Sequence, residues 1–461
     1  MGSNTLLRVT KGSFIFFSGN VVTTFLQFLN SVILTRYLGL EDYGKLNLAL
    51  SVSSLSVIII DFKLGDFVSS SIARGLGTNQ LGVVRRFIVS YSIMIAFFGC
   101  FVFTGFILAS LLSERLNIPL TSWFLIVMGF YSFLMGFKTL LNATFYGYSL
   151  YKYQVWAQIF ETFSRLILTF FIALILRKDL NILIFIYPVP ILITSIVLLP
   201  LWVKQVLIPL KEVKTAPNSV WTTSLKKGGV WIVLSLPLKD IQAQLPIWFL
   251  NYIIGPESVA IYAVAERGYS FFLFSLRAVE SAVFPIVSEK FGVSVDNTLE
   301  IIQRVTKYVF WSVIPIFIGC WIIIPSFFEL AFSAKYNESA ELCRIFLFRL
   351  FVYTFILSQR PLLYALNAQK ILFYRYVIAN ILTILLLWIS IPKFGVFGSA
   401  IAIIGTGIVL VVWHIISIKR LVPEFRLNII QMFYPDRYDI SFLSLGLNSF
   451  RRILKNSNVR K

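Results

Sequence analysis

Long apolar runs recur along the chain, each about one bilayer crossing in length. A helix needs about 20 mostly apolar residues to span a hydrocarbon layer of ~30 Å. Twelve stretches meet that demand, roughly 13–34, 43–62, 87–112, 118–141, 154–176, 181–203, 228–251, 259–285, 305–328, 343–365, 371–391 and 394–417. They are too long for the strands of a membrane barrel, which alternate over about 10 residues. The first run begins near Ser13, is too long and polar-dotted for a signal segment, and is followed by no small-residue cleavage site, so it reads as a retained span. The pattern predicts an all-α polytopic membrane protein of about twelve transmembrane helices. The connections are short, and the longest is 204–227.

Polar positions inside these runs keep helical spacing. Asn20, Thr24, Gln27 and Ser31 share one face of span 1, and Gln154, Gln158, Glu161, Arg165 and Thr169 share one face of span 5. In span 7, Ser235, Lys239 and Gln242 align between Pro237 and Pro246, which are expected to bend or break the helix. In span 8, Glu266, Ser270, Arg277 and Glu280 share a face, with Arg267 about a quarter-turn away. Arg349 and Arg360 in span 10 are three turns apart and point the same way.

A charge at the bilayer centre costs about 2.5–3.5 kcal/mol even on a lenient scale, so Arg165, Lys239, Arg277, Arg349 and Arg360 all facing lipid would cost on the order of 15 kcal/mol. They are expected to face protein or water instead, and cations held there at staggered depths suit an anionic cargo. Arg349 and Arg360 have no acid on their own span and are the foremost candidates for cargo contact. Arginine fits phosphate because its fork bonds two oxygens at once. Glu161 with Arg165, and Glu280 with Arg277, are close enough to neutralise one another, whereas Asp240 does not share a face with Lys239. Lys45, Lys138 and Arg375 lie near span ends and are expected to snorkel.

Composition agrees with the pattern: 58% of residues are hydrophobic and only 13% charged, with a mean hydropathy of +0.83, against about 25% charge in soluble domains. The net charge of +20 is largely a topology signal. With the N-terminus inside, the cytoplasmic segments carry 25 of the 41 Lys and Arg, the outer segments 7 and the spans 9. Both termini are therefore expected in the cytoplasm, in the cell membrane. The charge calls for no nucleic-acid partner. Beyond Lys419, the residues Ile440, Leu443, Leu447, Phe450 and Leu454 fall on one helical face beside Arg451, Arg452 and Lys455. That pattern predicts an interfacial helix on an anionic leaflet.

A weak internal repeat appears at an offset of 216: Lys11-Gly12 matches Lys227-Gly228, Gly39 matches Gly255, Glu41 matches Glu257, and Arg74 matches Lys290. Each half holds six spans in the same orientation, as in transporters built from parallel repeats. The expected organisation is a six-helix lobe over 1–203, a cytoplasmic linker over 204–227, a second six-helix lobe over 228–417 and a basic tail over 418–461, with the cargo cleft between the lobes. Cys100, Cys320 and Cys343 have no metal-ligand spacing, and His414 is the only histidine. No metal or other cofactor is indicated, and no nucleophile–histidine machinery.

Several segments carry a family resemblance. They are GNVVTTFLQFLNSVILTRYLGLEDYGKLNLALSV, of which YLGLEDYG (Tyr37 to Gly44) is the most recognisable piece, DFKLGDFVSSSIAR, GPESVAIYAVAERGYSFF with the following VFPIVSEKFG, and LNAQKILFYRYVIANILTILLLWISIPKFGVFGSAIA. Over about residues 8–420 the chain resembles the Wzx-type polysaccharide or O-antigen flippases, in the polysaccharide transporter branch of the multidrug/oligosaccharidyl-lipid/polysaccharide exporter superfamily. The resemblance implies a twelve-span, two-lobed fold. It also implies flipping of a polyprenyl-pyrophosphate-linked oligosaccharide to the outer leaflet, with membrane lipids and other polysaccharide assembly proteins as partners. The pair Glu266-Arg267 matches an acid–arginine pair of the related peptidoglycan-precursor flippases, whose arginine lines a central cavity, and that role is carried to Arg267 alone. The fourteen-span topology typical of those relatives is absent here.

Two other classes compete. A multidrug antiporter of the same superfamily favours cationic drugs and acidic cavities, whereas these spans hold nine basic residues against four acids, Glu161, Asp240, Glu266 and Glu280. Those four are the candidates for binding a coupling ion. A membrane glycosyltransferase or polymerase needs acidic catalytic residues and a sizeable outer loop. The longest outer connection, 329–342, is short and carries no paired-carboxylate motif, so the reading is a transporter and not an enzyme.

Overall fold

The computed structural model describes residues 3–113, 115, 121–175, 180–226, 230–291, 295–366 and 369–423. Side chains are described for these except residues 3–17, 174, 175, 180, 232 and a set within 274–296 and 358–369 that includes Arg277, Glu280 and Arg360. The expected interfacial helix of the tail lies outside the described residues.

Sixteen α-helices and no strand occur among the described residues. The first lobe contains α1 (Ser3–Tyr37), α2 (Leu40–Asp61), α3 (Gly65–Gly77), α4 (Leu81–Leu111), α5 (Ser122–Gly147), α6 (Tyr151–Ile175), the single turn α7 (Leu180–Leu183) and α8 (Pro188–Trp202). The connection carries a π-turn over Val203–Leu207 and the short α9 (Asn218–Ser224). The second lobe contains α10 (Val230–Ile253), α11 (Pro256–Phe291), α12 (Val295–Phe332), α13 (Asn337–Phe346), α14 (Phe348–Ala365), α15 (Gln369–Phe394) and α16 (Phe397–Leu421). Every expected span falls on one of these helices or on an adjacent pair.

Local chemistry sets the ends. Gly255 sits at φ +126°, a conformation open to glycine, and Pro256 then opens α11 with its ring preset for a first turn. Glu41 and Asp42 in the first turn of α2 face the positive end of its dipole. At the far end, Phe62 and Lys63 turn left-handed, at φ 46° and 56°, and separate α2 from α3.

The repeat reappears in the helix boundaries. α1 ends at Tyr37 and α10 at Ile253, while α2 starts at Leu40 and α11 at Pro256, all at the sequence offset. α4 and α12, and α5 and α13, start within a few residues of the same offset. The mates α2 and α11 pack against each other and form the main contact between the lobes, supported by α10 on α2 and by α1 on α11 and α12.

Eight of the described helical segments are long and apolar enough to cross a membrane. On α4, Ile93, Phe97 and Phe101, four residues apart, are each about two-thirds exposed. An apolar stripe of that kind, with protein on the opposite face, is a surface made for lipid. The interior is aromatic-rich, with Tyr43, Tyr91, Tyr269, Phe124, Phe145 and Phe346 fully buried. Some of its polar groups are paired there, as where the Trp202 indole N–H donates to Thr144 Oγ1 at 2.8 Å.

Three expectations are corrected. α10 runs as one helix through Pro237 and Pro246, held by packing against α2, α11 and α15. The 329–342 connection is not a loop: it is the end of α12, a 3-10 turn and the start of α13. Lys138 does not snorkel but reaches inward to Glu161, and Arg375 is buried, with its guanidinium over the Tyr376 ring.

Candidate functional site

Polar residues of four helices and one turn meet in a cavity of about 120 Å³ between the lobes. α1 supplies Gln27, Asn30, Ser31 and Leu34, and α2 supplies Tyr43 and Asn47. α6 adds Thr162 and Arg165, the turn before α8 adds Tyr187, and α11 of the second lobe adds Arg267. Arg165 lies ten residues before the end of α6 and Arg267 eleven residues after the start of α11. At 1.5 Å per residue both guanidinium-bearing positions lie about 15–17 Å from the same end of the bundle, half of a ~30 Å hydrocarbon layer.

The charges around this chamber do not cancel. Glu161 Oε1 accepts from Arg165 Nη2 at 2.7 Å, its Oε2 forms an ion pair with Lys138 Nζ at 2.5 Å, and its own side chain is buried. The Arg165 guanidinium also lies over the Tyr187 ring, 5.1 Å from the centroid. Arg267 enters no ion pair among the described residues. Three cations, Lys138, Arg165 and Arg267, therefore stand against one carboxylate.

Arg267 owes its uncompensated charge to Arg349. Glu266 precedes Arg267 in sequence, but successive helical residues diverge by about 100°. Glu266 turns to α14, where Arg349 Nη1 donates to its Oε2 at 2.6 Å. The Arg349 guanidinium lies over two aromatic rings, 4.3 Å from the Tyr269 centroid and 5.1 Å from that of Phe346. The absence of an acid on its own span thus did not leave Arg349 open: the acid comes from α11. Lys239 is exposed and does not line the chamber, while its neighbour Asp240 pairs with Lys63 across the lobes at 2.8 Å. The side chains of Arg277, Glu280 and Arg360 lie outside the described residues. Three candidates for ion coupling, Glu161, Asp240 and Glu266, each hold a cation already.

Sequence spacing singled out Gln27, Ser31 and Arg165, and the family resemblance pointed to Arg267. Spacing passed over Asn30, Tyr43, Asn47, Thr162 and Tyr187. Two of these carried a signal, since Tyr43 and Asn47 stand one turn apart on an apolar span, as Thr162 and Arg165 nearly do.

At one end of the bundle the lobes are fastened together. Lys335 Nζ donates to Leu38 O at 2.7 Å, Arg36 Nε donates to Ala331 O at 2.8 Å, and Arg36 Nη2 donates to Leu330 O. Each cation thus meets carbonyls at a helix C-terminus of the other lobe, where the dipole is negative. The Tyr43 and Tyr336 rings meet edge to face beside them. Deeper in, the Trp248 indole of α10 donates to Ser51 Oγ of α2 at 3.0 Å.

Comparison with solved structures places this architecture. A structure described as the inward-facing conformation of a multidrug resistance MATE family transporter of the MOP superfamily aligns with a TM-score of 0.72 at 15% identity, over 88% of this chain and 96% of that one. Its outward-facing counterpart aligns at 0.66 and 15%, over 90% and 96%. A MOP superfamily transporter from Pyrococcus furiosus, described as having a binding pocket of reverse polarity that suggests a different function, aligns at 0.66 and 14%, over 91% and 96%. No curated protein sequence matches the chain. These likenesses show a two-lobed transporter fold in a multi-pass membrane protein. A family model described as polysaccharide biosynthesis protein matches residues 9–291, more than half of the chain. The chain accordingly belongs to the polysaccharide biosynthesis protein family.

Proposed function

We propose that this protein flips a polyprenyl-pyrophosphate-linked oligosaccharide from the cytoplasmic to the outer leaflet by alternating access of its two lobes. The observation that carries the reading is the mid-depth chamber in which Arg165 and Arg267 converge with an excess of positive charge. A pyrophosphate crossing hydrocarbon needs a dry cationic site at that depth, because an unpaired charge there is costly. The amides and hydroxyls of Gln27, Asn30, Ser31, Asn47 and Thr162 add neutral partners for phosphate or sugar oxygens. The same charge excess disfavours a cationic drug.

Size supports movement. The chamber, at about 120 Å³, is smaller than a cavity of ~150 Å³ that takes up one benzene, and does not hold an oligosaccharide. The glycan must therefore occupy space that opens when the lobes part. In the proposed orientation, set by the 25-to-7 distribution of Lys and Arg, the rim closed by Arg36 and Lys335 faces outward. Arg165 and Arg267 contact the pyrophosphate in this scheme, while Arg349 acts by holding Glu266 away from Arg267. A coupling ion at Glu161, Asp240 or Glu266 would have to displace a resident cation.

Depletion of the protein in its native cell tests the proposal. Lipid-linked oligosaccharide is expected to accumulate on the cytoplasmic leaflet. An unchanged leaflet distribution of lipid-linked intermediates, with export intact, would overturn it.

A further inference from the structure

A second cavity, about 340 Å³, lies on the flank of the first lobe and shares no residue with the central chamber. Ile88 and Val89 of α4 form one wall, and Val203, Leu207 and Ile208 of the connection after α8 form the other. Arg85 and Lys211 complete the lining. The place is set by two membrane-crossing segments, Leu81–Leu111 and Asn181–Leu210. Arg85 is in the first turns of one, and Lys211 directly follows the end of the other. Aliphatic walls therefore stand at hydrocarbon depth, and the cations stand at the level where hydrocarbon gives way to headgroups.

The wall is built, not incidental. The chain leaves α8 in a π-turn over Val203–Leu207, a geometry frequent at functional sites. Arg85 Nη1 then donates to Lys211 O at 3.1 Å and to Val213 O, Arg86 Nε donates to Ala216 O at 2.6 Å, and Ala216 N donates to Gly82 O at 3.0 Å. The Arg85 bonds use Nη1, whereas a guanidinium carries five N–H donors in a fork. Its Nε and Nη2 make no bond among the described residues. Residues 81–90 and 203–214 together carry five cations, Arg85, Arg86, Lys204, Lys211 and Lys214, against the single acid Glu212.

We propose that this cavity binds an anionic glycerophospholipid of the leaflet it opens to, with an acyl chain between α4 and the π-turn and the headgroup phosphate between Arg85 and Lys211. Aliphatic walls capped by cations match a molecule with an apolar tail and an anionic head, and a soluble phosphate would leave the walls unfilled. The occupant is a membrane phospholipid and not the transported polyprenyl lipid, because the cavity lies apart from the chamber between the lobes. The bound lipid cements the connection between the lobes onto α4. The inference does not depend on the identity of the cargo.

The test uses the full-length protein, delipidated in detergent and then offered phosphatidylglycerol, phosphatidylcholine of the same acyl chains, a polyprenyl phosphate or glycerol phosphate, with retention read by native mass spectrometry. Phosphatidylglycerol is expected to be retained over phosphatidylcholine, and glycerol phosphate not at all. Lys211→Gln is expected to reduce retention about fivefold, the worth of roughly one basic contact at a membrane surface. Ile208→Trp, at an exposed position that fills the mouth, is expected to abolish it. Arg267→Ala in the separate chamber is expected to leave it unchanged. Melting of each variant without lipid, equal to wild type, excludes misfolding, and Val89→Trp replaces Ile208→Trp if that variant melts early. Equal retention of the two phospholipids, wild-type retention by Lys211→Gln and the Trp variant, or polyprenyl phosphate retention that Ile208→Trp abolishes and Arg267→Ala leaves intact would each overturn the assignment.

Discussion

Gly44 packs against the carbonyl of Pro256, and a Cβ at Gly44 would overlap that oxygen. The glycine that closes the segment YLGLEDYG is thus a point of contact between α2 and its repeat mate α11. Glycine in a helix interior costs roughly 1 kcal/mol relative to alanine, so the close approach has to return at least that much. The contact belongs to the rim that Arg36 and Lys335 fasten.

Enlarging Gly44 is expected to pry this rim apart. Overpacking costs about 1–3 kcal/mol, enough to shift a two-state equilibrium about fivefold or more. Gly44→Val is expected to reach the membrane at wild-type levels, to export poorly, and to admit an impermeant thiol reagent from outside to a cysteine replacing Gln27 in the chamber. Unchanged export and labelling would show that the contact is not a gate.

The chamber cations differ in what they do, and their variants separate accordingly. Arg267→Ala and Arg165→Ala each remove a charge-assisted hydrogen bond worth about 1.5–3 kcal/mol, so each is expected to lower export about 10- to 100-fold. The lysine variants recover part of this, because a point charge remains without the fork. Lys239→Ala is expected to have the weaker effect, since Lys239 lies off the chamber. Glycan export at matched protein levels checks the ranking, and full export by Arg267→Ala and Arg165→Ala would remove both from the site.

The pair Glu266–Arg349 is open to a double-mutant cycle. Arg349→Gln leaves Glu266 without its partner beside Arg267. The expected destabilisation is about 2 kcal/mol, below the 3–5 kcal/mol of fully buried pairs, since the Glu266 side chain keeps 35% exposure. Adding Glu266→Gln is expected to restore both thermal stability and part of the export. Additive losses in the double variant would mean that the two residues act separately.

Much of this arrangement was readable beforehand, and the reasons for the rest are physical. Span placement followed from apolar length, and the correspondence of Tyr37 with Ile253 and of Leu40 with Pro256 followed from four weak sequence matches. The side of a helix on which Arg165 or Arg267 stands follows from periodicity. The helix that faces it does not, so Lys63–Asp240, Lys138–Glu161 and Arg349–Glu266 were invisible: each joins residues from different elements. Pro237 and Pro246 announced a bend or a break, and packing around α10 keeps the helix unbroken. Lys138 stands near a span end, where snorkelling is available, but a buried carboxylate one helix away is the stronger attraction.

Topology is checked by single cysteines in a background lacking Cys100, Cys320 and Cys343. Ser219 in α9 is exposed, and Glu338 in α13 is exposed, whereas Ser339 beside it is fully buried and unsuited to labelling. With an impermeant maleimide on intact cells, Glu338→Cys is expected to react and Ser219→Cys only after permeabilisation. The reverse pattern would invert the orientation drawn from the Lys and Arg distribution.

Rocking of the lobes makes the last demand. The charged headgroup must never meet hydrocarbon, and no continuous pore may open, so the rim at Arg36 must close when the chamber opens to the other side and part when it opens here. Arg36 reaches from α1 to the carbonyls of Leu330 and Ala331 on α12, and both Arg36 and Leu330 are exposed. A pair Arg36→Cys and Leu330→Cys therefore stands within roughly one arginine length across the lobe boundary. A short bifunctional thiol reagent is expected to join them, and the joined protein is expected to stop exporting until a cleavable linker is reduced. Each single-cysteine protein, treated identically, is expected to export at its own untreated rate, which separates the tether from simple modification. A linker long enough to span the parted rims is expected to restore export in part, because it removes the constraint and keeps the chemistry. Export by the tightly joined protein at the untreated rate would mean that this rim does not move during transport, and the alternating-access reading would fall with it.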